Sequence, residues 1–203
     1  RATGPYAAVW QQFSDPDYIL DMMRMAWGEK GSFKMLVAGS ASGELVGALR
    51  ARGIDAWGVE SNKYIFDKTP KALAKYNKLG SVTDLPFKNQ SFDYIYETSL
   101  CHVAPGRAKK AVGELHRVAR KGVYFGSVTS DLTSEVCDRY DLLRGVTKLA
   151  TWWEWSEIFF NADFDLTLER RDVLEKLWKR TLKANKGPQA WYEDAESLRC
   201  CFY

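Results

Sequence analysis

A chain of 203 residues, 46% hydrophobic and 27% charged, can bury one real core and has the composition of a single soluble domain. A formal net charge of +3 gives little reason to expect a polyanionic partner, and no uncharged stretch is long enough to span a bilayer. The four cysteines, Cys101, Cys137, Cys200 and Cys201, show no C-x-x-C spacing and read as reduced thiols of a cytoplasmic protein. No signal peptide opens the sequence, and the start at Arg1 reads as a trimmed or engineered boundary.

Residues 1–33 read as a helical lead-in. Ser14-Asp15-Pro16-Asp17 marks a helix start, Ile19, Leu20, Met22, Met23 and Ala26 form its apolar set, and Gly28 and Gly31 end it. Strand one is Lys34 to Ala38. A turn of small residues, Gly39 to Gly43, leads into a helix that buries Leu45, Val46 and Leu49. Strand two runs from Asp55 to Glu60, with a helix from about Tyr64 to Lys75, and strand three from Ser81 to Asp84. Strand four is Phe92 to Tyr96, followed by a helix from about Arg107 to Ala119 and strand five from Gly122 to Val128. This alternation predicts an α/β fold: a doubly wound, mostly parallel sheet with helices on both faces. Beyond Ser130, residues 134–143 and 152–161 look helical, and Leu174, Leu177, Trp178, Thr181 and Leu182 share one helical face. Leu198 to Tyr203 suits a short final strand. The expectation is one domain over 1–203: a cap at 1–33, a ligand-binding core at 34–130, and substrate-side and C-terminal elements at 131–203.

Strand, small-residue turn, helix, strand and terminal acid describe a nucleotide-type site. Small residues let backbone N–H groups approach a ligand, and Glu60, about twenty residues beyond Gly39, can accept from both hydroxyls of a ribose. A dinucleotide fingerprint needs a small residue where Glu44 stands, which argues against a nicotinamide enzyme. Eight tryptophans are many for this length. They serve core packing, or Trp152, Trp153 and Trp155 help form an aromatic wall for a flat or apolar substrate; both readings stay open.

Further motifs follow in order. Asp84-Leu85-Pro86-Phe87 and Ser91-Phe92-Asp93 match a D-x-P-F-x-x-x-S-F-D passage, and Leu100-Cys101-His102-Val103 matches L-x-H-V. Glu114-Leu115-His116-Arg117-Val118 with Lys121-Gly122 matches E-x-x-R-V-L-x-P-G-G. With the turn at Gly39, these make the stretch from Lys34 to Ser130 resemble class I S-adenosylmethionine-dependent methyltransferases of the small-molecule, type 11-like kind. The resemblance implies S-adenosylmethionine as cofactor and S-adenosylhomocysteine as product. It implies that Gly39, Ser40, Ala41 and Gly43 wrap beneath the methionine and ribose portion. Glu60 then accepts the ribose hydroxyls with Ser61 alongside, Asp84 accepts from the adenine amino group, and Leu85 lies against the ring. Glu97 and Thr98 approach the transferable methyl. The plainer roles are a strand-end acid for Glu60 and a turn or cap aspartate for Asp84. His102 is a candidate general base, or it orients the loop before Pro105. No metal site is expected.

The match has two departures. At the end of strand one, where the family usually has an acid, stands Ala38, and Ala41 replaces the middle glycine of the turn. Ala162-Asp163-Phe164 stands where the family often has A-G-F, which places a sixth strand at Asp165 to Asp172, and an antiparallel last strand is typical. The function implied is methyl transfer to a small organic acceptor, with substrate choice residing in the flanks. The alternative is a catalytically silent relative acting through a protein partner. The expected partners are a small-molecule methyl acceptor and either a second copy or a protein partner, with no nucleic acid and no membrane span.

Overall fold

The structure is a computed structural model, and it describes residues 15–97, 99–125, 152–164 and 200–202. The first described element is helix α1, Pro16–Trp27. Asp15 caps it by accepting the N–H groups of Asp17 and Tyr18, Pro16 supplies a preset first turn, and Gly28 ends it in the left-handed region (φ 71°). There follow β1 (Lys34–Ala38), α2 (Glu44–Ala51), β2 (Asp55–Glu60), the short α3 (Lys63–Phe66), β3 (Asn77–Leu79) and β4 (Phe92–Glu97). Helix α4 (Ala108–Val118) runs directly into β5 (Ala119–Phe125); α5 (Trp152–Phe160) and β6 (Cys200–Phe202) complete the described set.

The strands form one sheet in the order β3-β2-β1-β4-β5-β6. All neighbours are parallel except β6, which pairs antiparallel to β5. Strand residues alternate between two cores. Met35, Val37, Ala56, Tyr94, Tyr96 and Tyr124 face a layer that includes Tyr18, Ile19 and Met23 of α1 and Val46 and Leu49 of α2. Leu36, Ala38, Ile95, Val123 and Phe125 face Ala111, Val112 and Leu115 of α4 and Trp155 and Phe159 of α5. This is the doubly wound architecture that the alternation predicts.

Two elements differ from expectation. The helix expected over 64–75 stops at Phe66, and only a 3-10 turn, Ala74–Tyr76, follows. Pro70 lacks an N–H and disfavours helical backbone at Thr69, so the helix cannot continue. The third strand is Asn77–Leu79, before the expected Ser81 to Asp84. Ser81–Asp84 is a tight turn closed by Asp84 N–H donating to Ser81 O (2.9 Å), with the Ser81 and Thr83 hydroxyls 2.9 Å apart. Strand β5 starts at Ala119, and residues 126–128 of its expected span lie outside the described residues. So do the expected helices at 134–143 and 174–182 and the sixth strand at 165–172. Among the described tryptophans, Trp27 stacks on Tyr94 (4.6 Å) and Trp155 packs against Phe125 (5.4 Å), both core roles. No helix among the described residues is long and apolar enough to cross a membrane.

Candidate functional site at the switch point of the sheet

From β1 the chain winds through β2 to β3 on one side, then crosses to β4 on the other. The crevice beyond the carboxyl ends of β1 and β4 is where such sheets bind ligands. The turn Gly39–Gly43 opens there. Gly39 and Ser40 both donate to Val59 O (2.9 and 3.0 Å), and Gly43 donates to Ser40 O (2.8 Å), so the turn folds back onto β2. Gly39 and Gly43 sit at φ 79° and Ala41 at φ 49°. Left-handed backbone comes freely to glycine but strains alanine.

Glu60, at the end of β2, is 9% exposed. One carboxylate oxygen accepts Ala41 N–H (3.0 Å) and the other accepts Asn62 N–H (2.7 Å). The carboxylate therefore ties the turn after β1 to the turn after β2, and each oxygen keeps a second lone pair for a further donor. Ser61 beside it is exposed; the Asn62 side chain caps α3 through Tyr64 N–H and Ile65 N–H.

On the next loop Asp84 is exposed and Leu85 buried. Glu114 and Arg117 of α4 hold this loop. Leu85 N–H donates to Glu114 (2.7 Å), while Arg117 donates to Leu85 O (3.0 Å), Phe87 O (2.8 Å) and Asn89 (3.0 Å). The two side chains pair with each other at 2.7 Å. The Arg117 hydrogen bond holds the Glu114 carboxyl below its ordinary range, and Glu114 in turn raises Arg117. Sequence reading finds the Glu114–Arg117 pair as a motif but not this clamp, whose targets lie in a distant loop.

At the end of β4, Glu97 is fully buried and lies in register with Ala38 on β1. It accepts Ser99 N–H (2.5 Å) and the Ser99 hydroxyl (2.9 Å). Ser99 is packed so close to the turn that a Cβ on Gly39 would meet its Cβ and Oγ at 2.7 Å. Thr98 lies outside the described residues. His102 ends a 3-10 turn, Leu100–His102, and is exposed, while Cys101 beside it is buried. The crevice thus brings Gly39, Ser40, Ala41, Gly43, Glu60 and Glu97 around one sheet edge, with the Asp84–Leu85 loop following β3. Among the described residues no group of three or more His, Cys, Asp or Glu could hold a metal ion.

A family profile described as a methyltransferase domain matches residues 36–126. Among solved structures, the YcgJ protein of Bacillus subtilis is similar at TM-score 0.60 and 18% identity, over 74% of this chain and 69% of that one. Haemonchus contortus phosphoethanolamine N-methyltransferase 2, solved with phosphomonomethylethanolamine and S-adenosylhomocysteine, is similar at TM-score 0.60 and 16% identity. That match covers 95% of this chain and 51% of the other. The Haloferax volcanii complex of the Trm112 methyltransferase activator with a putative methyltransferase matches at TM-score 0.56 and 17% identity, over 79% and 74%. No curated protein sequence matches the chain. The profile match over residues 36–126 and the fold shared with these solved structures support a class I S-adenosylmethionine-dependent methyltransferase.

Proposed function

We propose that the protein transfers a methyl group from S-adenosylmethionine to a small organic acceptor. The observation that carries this reading is the Glu60 carboxylate, bound to the backbone of two turns at the sheet's switch point with a lone pair left on each oxygen. That arrangement fits a ribose diol, which offers two adjacent hydroxyl donors. Gly39 and Ala41 are exposed, which lets a ligand approach the turn. Gly39, Ser40, Ala41 and Gly43 would hold the methionine and ribose portion, with Ser61 at the ribose edge. Asp84 and Leu85 would take the adenine. The Glu114–Arg117 clamp keeps their loop in place.

When bound, the cofactor supplies an electrophilic methyl group on a sulfonium. The chain's task is then alignment: an acceptor held in line at near-attack distance, with a base only where the acceptor is not already reactive. Glu97 and Thr98 would flank the methyl group, and the buried Glu97 would supply the acid absent at Ala38. His102, exposed beyond β4, would take a proton from the acceptor where one must be lost. A small acceptor suits the flanks, since residues 2–14 and 152–160 carry aromatic residues and no lysine or arginine.

Ala38 also favours a second reading: a silent relative that acts through a protein partner. Calorimetric titration with S-adenosylmethionine and S-adenosylhomocysteine separates the two. Micromolar binding that Glu60→Ala weakens supports the enzyme; absence of binding to either ligand supports the silent relative.

A further inference from the structure

Asn77 opens the edge strand β3, and its side chain is buried beneath the turn at 5% exposure. Its amide nitrogen donates to Leu73 O at 2.9 Å, which fixes the orientation of the amide. A Cβ on Gly43 would lie 2.7 Å from that nitrogen. One on Gly58 would lie 2.1 Å from Asn77 Oδ1 and 2.5 Å from Ser40 Oγ. The amide therefore fills the space that two glycines leave between the turn and β2. Ser40 is also only 5% exposed, and its hydroxyl crowds the same point over Gly58. Neither Ser40 Oγ nor Asn77 Oδ1 has a hydrogen-bond partner among the described residues.

A buried carbonyl oxygen left unpaired is costly, and the bond from the amide nitrogen to Leu73 O does nothing for Oδ1. Packing and the bond to Leu73 O account for the amide nitrogen and leave Oδ1 without a role. What the amide adds is an acceptor that meets the same point over Gly58 as the Ser40 hydroxyl, a group able to donate to it. We infer that Asn77 is a positioning residue for the cofactor turn, acting through the Ser40 hydroxyl. This rests on the cofactor site proposed above. When Ser40 donates to Asn77 Oδ1, the Gly39–Gly43 backbone is drawn onto β3 and held in its ligand-binding form. Asn77 itself touches no ligand.

The test compares wild type, Asn77→Leu, Ser40→Ala and the double variant, by S-adenosylhomocysteine calorimetry and by thermal melting without ligand. Asn77→Leu, which also gives up the bond to Leu73 O, should melt below wild type yet stay folded, and should bind about tenfold more weakly. Ser40→Ala should show a similar loss, and the double variant should be no weaker than the weaker single one, because both remove the same contact. Wild-type affinity in a folded Asn77→Leu, or fully additive losses, would overturn the inference. Should Asn77→Leu not fold, Asn77→Ser and Ser40→Ala carry the same comparison, and wild-type affinity in both overturns it equally. Wild-type protein that binds no S-adenosylhomocysteine would overturn the cofactor reading itself, an outcome distinct from failure of Asn77 alone.

Discussion

Each oxygen of the Glu60 carboxylate takes one backbone N–H, so any ligand hydroxyl must share it with the fold. Glu60→Ala removes a charged acceptor, which should cost about 1.5–3 kcal/mol of S-adenosylhomocysteine binding, or roughly ten- to a hundredfold. Glu60→Gln keeps the shape and one acceptor and should fall between. Calorimetry that finds the alanine variant unchanged would remove Glu60 from the site. Ala41 poses a separate question, because its φ of 49° puts a methyl-bearing residue in left-handed backbone. Ala41→Gly relieves that strain but frees the unfolded chain, so the net gain should be at most about 1 kcal/mol. A denaturant midpoint lower than wild type would mean that the alanine methyl makes a contact worth more than the strain.

At the scale of elements, the Glu114–Arg117 clamp couples α4 to the loop that follows β3. Arg117→Ala strips donors from Leu85 O, Phe87 O and Asn89, and should destabilise by on the order of 1.5–3 kcal/mol while loosening the Asp84–Leu85 loop. The pH dependence has a definite sign. The folded Glu114 carboxyl titrates below its unfolded value of about 4.3, because Arg117 stabilises its charged form. Its contribution is complete above that value and disappears as pH falls through the folded value. Urea midpoints of wild type and Glu114→Gln should therefore differ at pH 7 and draw together as pH falls below about 4.3; a gap that stays equal would show that the charge is not what matters. The same loop shows what sequence could and could not reveal. Strands β1 and β2 are legible to the residue because they are buried runs ended by a glycine turn and an acid. Strand β3 is not, because Asn77, Lys78 and Leu79 pair with one neighbour only and leave Lys78 and Leu79 exposed. The β-branched Val82 and Thr83 mimic a strand, yet they belong to a side-chain-bonded turn. Glu60 could be marked as a candidate from its spacing alone. Asn77 could not, because the glycines it fits against, Gly43 and Gly58, are neighbours only in the folded sheet.

For the whole molecule, the question is whether the matched segment 36–126 can stand without what precedes it. Helix α1 buries Tyr18, Ile19, Leu20 and Met23 in one of the two cores, and Trp27 stacks on Tyr94 of β4. Just beyond α1, Glu29 accepts the Tyr94 hydroxyl (2.7 Å) and the Lys121 ammonium (2.5 Å), which ties the helix exit to β4 and β5. Burial of each large apolar side chain is worth about 1.5–3 kcal/mol, so the four together rival the 5–15 kcal/mol by which a whole domain is usually stable. On that face Met35 and Val37 of the Lys34–Ala38 strand would then keep α2 but lose the cover of α1. Protein lacking residues 1–30 should accordingly fail to give a cooperative melt or a monodisperse elution profile. A gentler variant keeps the idea testable in folded protein. Met23→Ala should lower stability by about 2–5 kcal/mol and leave S-adenosylhomocysteine affinity within twofold, because α1 packs on the sheet face and not at the crevice. If Met23→Ala instead weakened ligand binding while the melting temperature held, α1 would belong to the site rather than to the core.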